Sequence, residues 1–283
     1  MSFLRLENVS HVYSPGSPFE KRALDDVTLD IHEGEVLGII GSTGSGKSTL
    51  IQHLNGILRP TSGRVLVNGE DMWAHPKEIK KFRSLIGLVF QYPEYQLFEE
   101  TVEKDIAFGP RNMGLEEEEI ARRVQEACEF AGVHGDWLDK PPFELSGGQK
   151  RRVAIAGVIA MLPRVLVLDE PLAGLDPHGR NSIMRRIKNY RDKTGAAVVI
   201  VSHSMENVAK DCERIVAVQN GRIVAEGTPA QVFADADHLR TIGLAPPQLT
   251  GVFSRLAADG FPVSPAVYTV DEAFNEIMRV LGK

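Results

Sequence analysis

The 283-residue sequence has no apolar stretch approaching the roughly 18 residues that a membrane-crossing helix needs. The longest apolar run, Val153 to Leu162, is ten residues with a glycine among them, so any membrane role must come through a partner. Cysteine is scarce: Cys128 and Cys212 cannot build a disulfide framework and fit a reducing cytosol. Basic charge is not in surplus, with 32 Lys+Arg against 38 Asp+Glu and a net charge of −6, which argues against nucleic acid as a partner. The N-terminus lacks a signal-peptide pattern, because the polar Glu7-Asn8-Val9-Ser10-His11 follows almost at once. There is no internal repeat and no low-complexity tract. What remains, 43% apolar and 25% charged residues, is ordinary for a soluble globular protein of one large domain, or of a main domain with a smaller appendage.

Leu4 to Leu6 and Val27 to Ile31 alternate as half-buried strands around a Pro- and Gly-containing loop, Ser14 to Phe19. Val36 to Ile40, Ile86 to Phe90, Val165 to Leu168 and Ala197 to Val201 read as strands buried on both faces. A helix from Lys47 to about Gly56, and helical patterns between the later strands, predict an α/β fold with a mainly parallel core sheet and an N-terminal antiparallel β portion. Between Tyr92 and about Pro163 strand signals vanish, and Glu116 to Gly132 carries one apolar stripe of Ile120, Val124, Ala127, Cys128 and Ala131. The expected division is a sheet-based core over 1–91 and 164–228, an inserted helical subdomain over 92–163, and a C-terminal helical extension over 229–283. In that extension Ala273, Phe274, Ile277, Met278 and Leu281 share a stripe that either packs on the chain's own core or serves dimerisation.

Three motifs carry chemistry. Gly41-Ser42-Thr43-Gly44-Ser45-Gly46-Lys47-Ser48-Thr49 matches G-x-x-x-x-G-K-[ST] between a buried strand and a helix. Its glycines let backbone N–H groups turn inward around phosphates, Lys47 can neutralise the β and γ phosphates, and Ser48 can ligate Mg²⁺. By itself this loop means an NTPase or a nucleotide kinase. Val165-Leu166-Val167-Leu168-Asp169-Glu170 leaves Asp169 at a strand's C-terminal end, suited to Mg²⁺, and Glu170 one residue on, suited to orient or deprotonate water. Leu145-Ser146-Gly147-Gly148-Gln149 precedes a helix, with Ser146 as N-cap and a Gly-Gly start that exposes N–H groups to an anion. This second phosphate site lies roughly 100 residues from the first and in the helical subdomain, so a two-fold dimer in which each chain closes the other's site resolves the geometry.

Together with the turn Ala173-Gly174-Leu175-Asp176 and Ser202-His203, these motifs resemble an ABC ATPase over about residues 3 to 230. The resemblance implies that ATP and Mg²⁺ are bound, that Tyr13 stacks on adenine, and that Gln91 senses Mg²⁺ and the attacking water. It also implies that Asp176 contacts the partner chain and that His203 touches the γ-phosphate; the other seven histidines receive no role. A narrower resemblance, to the second ATPase of energy-coupling factor (ECF) transporters, rests on Gln52-His53-Leu54-Asn55-Gly56, on Val89 to Phe98, on Glu99 to Pro110 and on Pro246-Pro247-Gln248-Leu249-Thr250. It implies uptake of vitamins or transition-metal ions at the cytoplasmic face of the cell membrane. The implied partners are a paralogous ATPase (or a second copy), an integral membrane coupling protein and a membrane substrate-binding subunit. The coupling surface is expected at Tyr92, Tyr95, Leu97 and Phe98 beside Glu94, Glu99, Glu100 and Glu103, with an arginine of the partner meeting one of these carboxylates; the alternative is that the aromatics pack inward and the glutamates are a solvated helix start. A cytosolic ABC machine would share the ATP motifs, but such chains usually carry coiled coils, zinc cysteines or two ATPase units; a P-loop phosphotransferase would lack Leu145 to Gln149.

Overall fold

The computed structural model describes residues 2–234, 236–241 and 243–282. β1 (Ser2–Tyr13) and β2 (Lys21–His32) pair antiparallel, Leu4 opposite Ile31 and Leu6 opposite Leu29, with alternate side chains buried as the sequence pattern requires. β3 (Val36–Ile40) is buried throughout and runs into the phosphate-loop segment and α1 (Lys47–Leu54). β4 (Ser62–Val67) and β5 (Glu70–Asp71) complete a four-stranded antiparallel sheet in the order β2-β1-β4-β5. After α2 (Ile79–Leu85) and β6 (Ile86–Val89) comes the helical unit of α3 (Val102–Asn112), α4 (Glu117–Ala131) and α5 (Gly147–Ile159). The chain then returns through β7 (Val165–Asp169), α6 (Pro177–Thr194), β8 (Ala197–Val201), α7 (Met205–Asp211) and the hairpin β9 (Arg214–Gln219) and β10 (Arg222–Gly227).

The second sheet has the order β10-β9-β3-β8-β7-β6, parallel from β9 to β6, with β10 antiparallel at one edge. Its two faces feed two cores. Leu37, Ile39, Val165, Val167 and Val199 pack with α1 and the antiparallel sheet, whereas Val36, Ile40, Leu166, Leu168, Val198 and Ile200 pack with the helical unit and α6 and α7. Burial on both faces explains why these strands are continuous apolar runs. In α4 the buried residues are Ile120, Val124, Ala127, Cys128 and Ala131, the stripe read from the sequence, and Gly132 ends the helix at φ 73°. The β4 strand and the β9–β10 hairpin were not anticipated.

Packing divides the last segment again. α8 (Pro229–Ala234) buries Val232 and Phe233 in the main core, where Leu239 of α9 (Ala236–Thr241) and Leu244 join them. α10 (Gln248–Ala258) and α11 (Val270–Val280) instead share a small cluster of Phe253, Val267 and Ala273 with Leu249 and Val263. Of the stripe read from the sequence only Ala273 is buried and Met278 is half-buried; Phe274, Ile277 and Leu281 face outward, with Val270 beside them, so this face does not pack on the chain's own core.

Candidate nucleotide site

Four parallel strands end at one sheet edge, where α/β sheets hold their ligands. β3 delivers the loop from Gly41 to Gly46, β7 delivers Asp169 and Glu170, β8 delivers Ser202 and His203, and β6 delivers Gln91. In the loop, Lys47 is 7% exposed, and its Nζ donates to the carbonyls of Gly41 (2.7 Å) and Ser42 (3.0 Å). Thr43, Gly44 and Ser48 lie at the surface, while Ser45 is buried with its Oγ unpaired. The loop is propped from behind by the β9–β10 turn, an Asn220-Gly221 pair with both φ positive (49° and 76°), as two-residue hairpins require. The Gly221 N–H donates to the Ser45 carbonyl (2.8 Å), and its own carbonyl accepts from the Asp25 N–H (2.9 Å).

The carboxylates face this loop. Burial, then the neighbouring Glu170, raises the Asp169 pKa, and burial raises that of Glu170 against the opposing pull of the His203 amide and Lys47. Burial lowers the pKa of Lys47 against the pull of Glu170 and Asp169. Glu170 has φ 49°, left-handed backbone that a non-glycine residue adopts at a cost, and its N–H is pinned to the Val201 carbonyl at 2.9 Å. One Glu170 oxygen is buried without a hydrogen bond, and His203 Nε2 stands 3.6 Å from it. His203 has a pKa lowered by burial and by Lys47, so the contact is made by a neutral ring at neutral pH. Asp169 and Glu170 stand in the fields of Lys47 and His203, a compact set of one cation, two desolvated carboxylates and an imidazole. Gln91 is exposed at the end of β6, and Tyr92 after it is again left-handed, φ 58°.

Tyr13 is the last residue of β1 and lines a cleft of about 180 Å³ with Lys21, Ala23, Gly44, Lys47 and Thr49; its hydroxyl is 3.2 Å from Thr49 Oγ1. Lys21 and Ala23 went unremarked in the sequence because they sit in a polar strand start with no motif. Asp176 is exposed and caps α6, its Oδ1 accepting from the Gly179 N–H at 2.9 Å.

The Leu145–Gln149 motif, the signature segment of the resemblance, stands apart. Ser146 Oγ accepts from the Gln149 N–H, Gln149 Oε1 accepts from the Ser146 N–H at 2.8 Å, and the added-carbon positions of Gly147 and Gly148 meet open space. Among the described residues, no hydrogen bond, ion pair or ring contact joins Ser146–Gln149 to the phosphate loop, Asp169, Glu170 or His203. Arg151, near the start of α5, is one contact between the helical unit and the sheet edge, and sequence reasoning missed it. Only 5% exposed, it donates to the carbonyls of Ala173 (2.5 Å) and Pro171 (3.3 Å) and approaches Glu94 at 3.6 Å. Glu94 therefore turns inward to this chain's own arginine, a correction to its expected outward role, because the buried guanidinium must have a counter-charge. Tyr92, Tyr95 and Phe98 do face outward, whereas Leu97 is half-buried against the core.

The geometry is that of an ABC-type ATPase, and residues 24–173 match the ABC transporter family. The energy-coupling factor transporter ATP-binding protein EcfA2 of Clostridium tetani is 50% identical over 280 residues, 99% of this chain and 97% of its own length. The protein of that name from Symbiobacterium thermophilum is 53% identical over 276 residues, covering 98% and 96%. Among solved structures, cbiO1 of Clostridium perfringens, part of the ABC transporter complex cbiONQ, is 41% identical with TM-score 0.75, over 86% of this chain and 94% of that one. A bacterial ABC transporter cassette solved as a dimer is 31% identical with TM-score 0.72, over 80% and 98%. The chain belongs to the ABC transporter ATPase family. Within it, the chain is a member of the energy-coupling factor transporter ATP-binding proteins.

A Cβ at position 221 would lie 2.6 Å from the Ala23 carbonyl, in backbone of positive φ. Gly221→Ala should therefore push the turn off the phosphate loop and weaken ATP binding by about 1–2 kcal/mol, as calorimetry would measure. Affinity unchanged within about twofold, under about 0.4 kcal/mol, would mean the turn does not support the loop.

Proposed function

We propose that the chain is the ATP-hydrolysing motor subunit of an ECF-type importer, working as half of an ATPase pair at the cytoplasmic face of the cell membrane. The observation that carries this reading is the separation of two phosphate-binding devices, the loop with its carboxylates on one lobe and the Ser146–Gln149 helix start on the other. Each is half of a site, and a second ATPase, paralogous or identical, supplies the missing half. A membrane coupling protein and a substrate-binding membrane subunit complete the importer. Uptake of vitamins or transition-metal ions is the substrate range this reading assigns, with the transported molecule recognised by the membrane components.

Residues Gly41 to Thr49 would wrap the phosphates, Lys47 exchanging its two loop carbonyls for phosphate oxygens. Tyr13 would stack on the base. Mg²⁺ would be held by Ser48, Asp169 and Gln91; the desolvated, mutually repelling carboxylates fit a divalent cation, whose charge would offset that of the phosphates. Glu170 would hold and polarise the attacking water through its unpaired oxygen, with neutral His203 donating to the γ-phosphate. Ser146, Gly147, Gly148 and Gln149 of the partner chain would close over the γ-phosphate, and Asp176 would contact the partner. Because Arg151 touches the signature helix, the Pro171–Ala173 turn and Glu94 together, closure at the nucleotide would reach the segment after Gln91. The outward stripe Val270, Phe274, Ile277 and Leu281 supports a C-terminal dimerisation surface.

A groove of about 580 Å³ lies between the lobes, lined by Arg83, Phe90, Phe98, Asp105, Phe108 and Met113 among others. Its apolar floor and charged rim suit an amphipathic helix of the membrane coupling protein. On this reading the coupling surface centres on Phe98 and Phe108 more than on Tyr95.

Glu170→Gln keeps the side chain's shape and removes its charge. ATP should still bind and trap a closed dimer while turnover stops; an ATPase rate within about threefold of wild type, under about 0.7 kcal/mol of barrier, would remove Glu170 from the catalytic role. Phe108→Asp should lower uptake by the reconstituted transporter about tenfold or more while soluble ATP binding is kept. Normal transport by that variant would rule the groove out.

A further inference from the structure

Behind the P-loop helix lies an aromatic column that the reaction itself does not use. His11 stands two residues before Tyr13 on the same face of β1, and the two rings meet edge-on with centroids 4.6 Å apart. His11 in turn meets His53 of α1 at 4.7 Å, again edge-on. His53 is fully buried, and its Nδ1–H donates to the Thr49 carbonyl at 2.7 Å, one helical turn back. Its Nε2 is buried without a hydrogen bond. His11 is 9% exposed and its Nδ1–H donates to the Arg59 carbonyl at 3.2 Å. The column closes on itself, because the Tyr13 hydroxyl lies 3.2 Å from Oγ1 of the same Thr49. Burial holds His53 down to about 4, so it is a neutral ring at neutral pH.

Tyr13 needs such a support. It is the last residue of its strand, 38% exposed, and the loop beyond it, including Phe19 at 85% exposure, lies in solvent and does not brace it. One flank of the phenol is held by the His11 ring and the hydroxyl by Thr49. A ring that must offer a face to a nucleobase gains affinity by being fixed beforehand, since the entropy of ordering it is already lost.

We propose that His11 and His53 are positioning residues that hold Tyr13 in its base-stacking orientation, so that affinity for the base half of the nucleotide is set from behind the P-loop helix. The proposal rests on the reading of Tyr13 as the base-stacking residue, and the test separates the two.

Calorimetry on the full chain would compare MgATP with magnesium tripolyphosphate, which shares the phosphates and lacks the base. His11→Ala should weaken ATP binding about fivefold, in line with loss of one aromatic pair, with tripolyphosphate unchanged within about twofold. His11→Phe, which keeps a ring against Tyr13, should restore ATP affinity, and His53→Leu should reproduce the selective loss in part. In a Tyr13→Ala background His11→Ala should add nothing. Equal losses for both ligands would show that the histidines merely prop the loop, and additive losses with Tyr13→Ala would show that they act elsewhere; either overturns the proposal. If Tyr13→Ala loses the preference for ATP while His11→Ala keeps it, the positioning role alone falls. If Tyr13→Ala keeps the preference, the stacking reading falls and the positioning role with it.

Discussion

Lys47 and the carboxylates of Asp169 and Glu170 share one half-buried sheet edge, and their attraction across that edge is the interaction on which the site depends. Burial works against all three charges, lowering the lysine's pKa and raising those of the acids, while the opposite charges hold them ionised. The edge is therefore charged but under-compensated: two carboxylates meet one ammonium and one neutral imidazole. In the proposed binding mode the divalent cation that accompanies a nucleotide would supply the missing positive charge. The fold creates this condition by burying β3, β7 and β8 on both faces, which brings their C-terminal ends together with water partly excluded.

The same architecture keeps the signature helix away from that edge. α5 is rooted in the helical unit by Val153, Ile155, Ala156 and Ile159, so its N-terminus is carried by a different lobe from the phosphate loop. Arg151 is the exception, a buried cation whose partners are the carbonyls after Glu170 and the Glu94 carboxylate. Removing the Glu94 carboxylate would leave an uncompensated charge in the interior. The helical unit is also joined to α6 by Arg152, which donates to Ser182 Oγ (3.3 Å), and by Arg186, which donates to the Glu129 carbonyl (2.9 Å). Half-sites on separate lobes suit a machine whose turnover changes its shape.

Much of this was legible in the sequence because the physics was local. The strands Val36–Ile40, Val165–Asp169 and Ala197–Val201 are short apolar runs bounded by glycine or charge, and α4 repeats its apolar residues every three or four positions. The phosphate loop, the Asp169-Glu170 pair and the Ser146 cap are contiguous strings whose chemistry does not need distant partners. What stayed hidden depends on distant partners. Arg151 sits in the basic run Lys150-Arg151-Arg152, where nothing marks one side chain as buried. Glu94 looked outward because its counter-charge is 57 residues away in the chain. Asn220-Gly221 was a readable hairpin signal that was passed over, but its contact with Ser45 could be known only from the fold.

The central claim is that the nucleotide held by one chain is closed by the signature of another. In the assembled transporter, a photocrosslinking ATP analogue with its reactive group on the γ-phosphate would be bound to a Lys47→Ala chain paired with a wild-type ATPase partner. Labelling of the peptide containing Ser146 to Gln149 should persist in the Lys47→Ala chain, because the nucleotide that reaches it sits in the partner's loop. Loss of that labelling together with Lys47 would place both halves of the site in one chain and contradict the account.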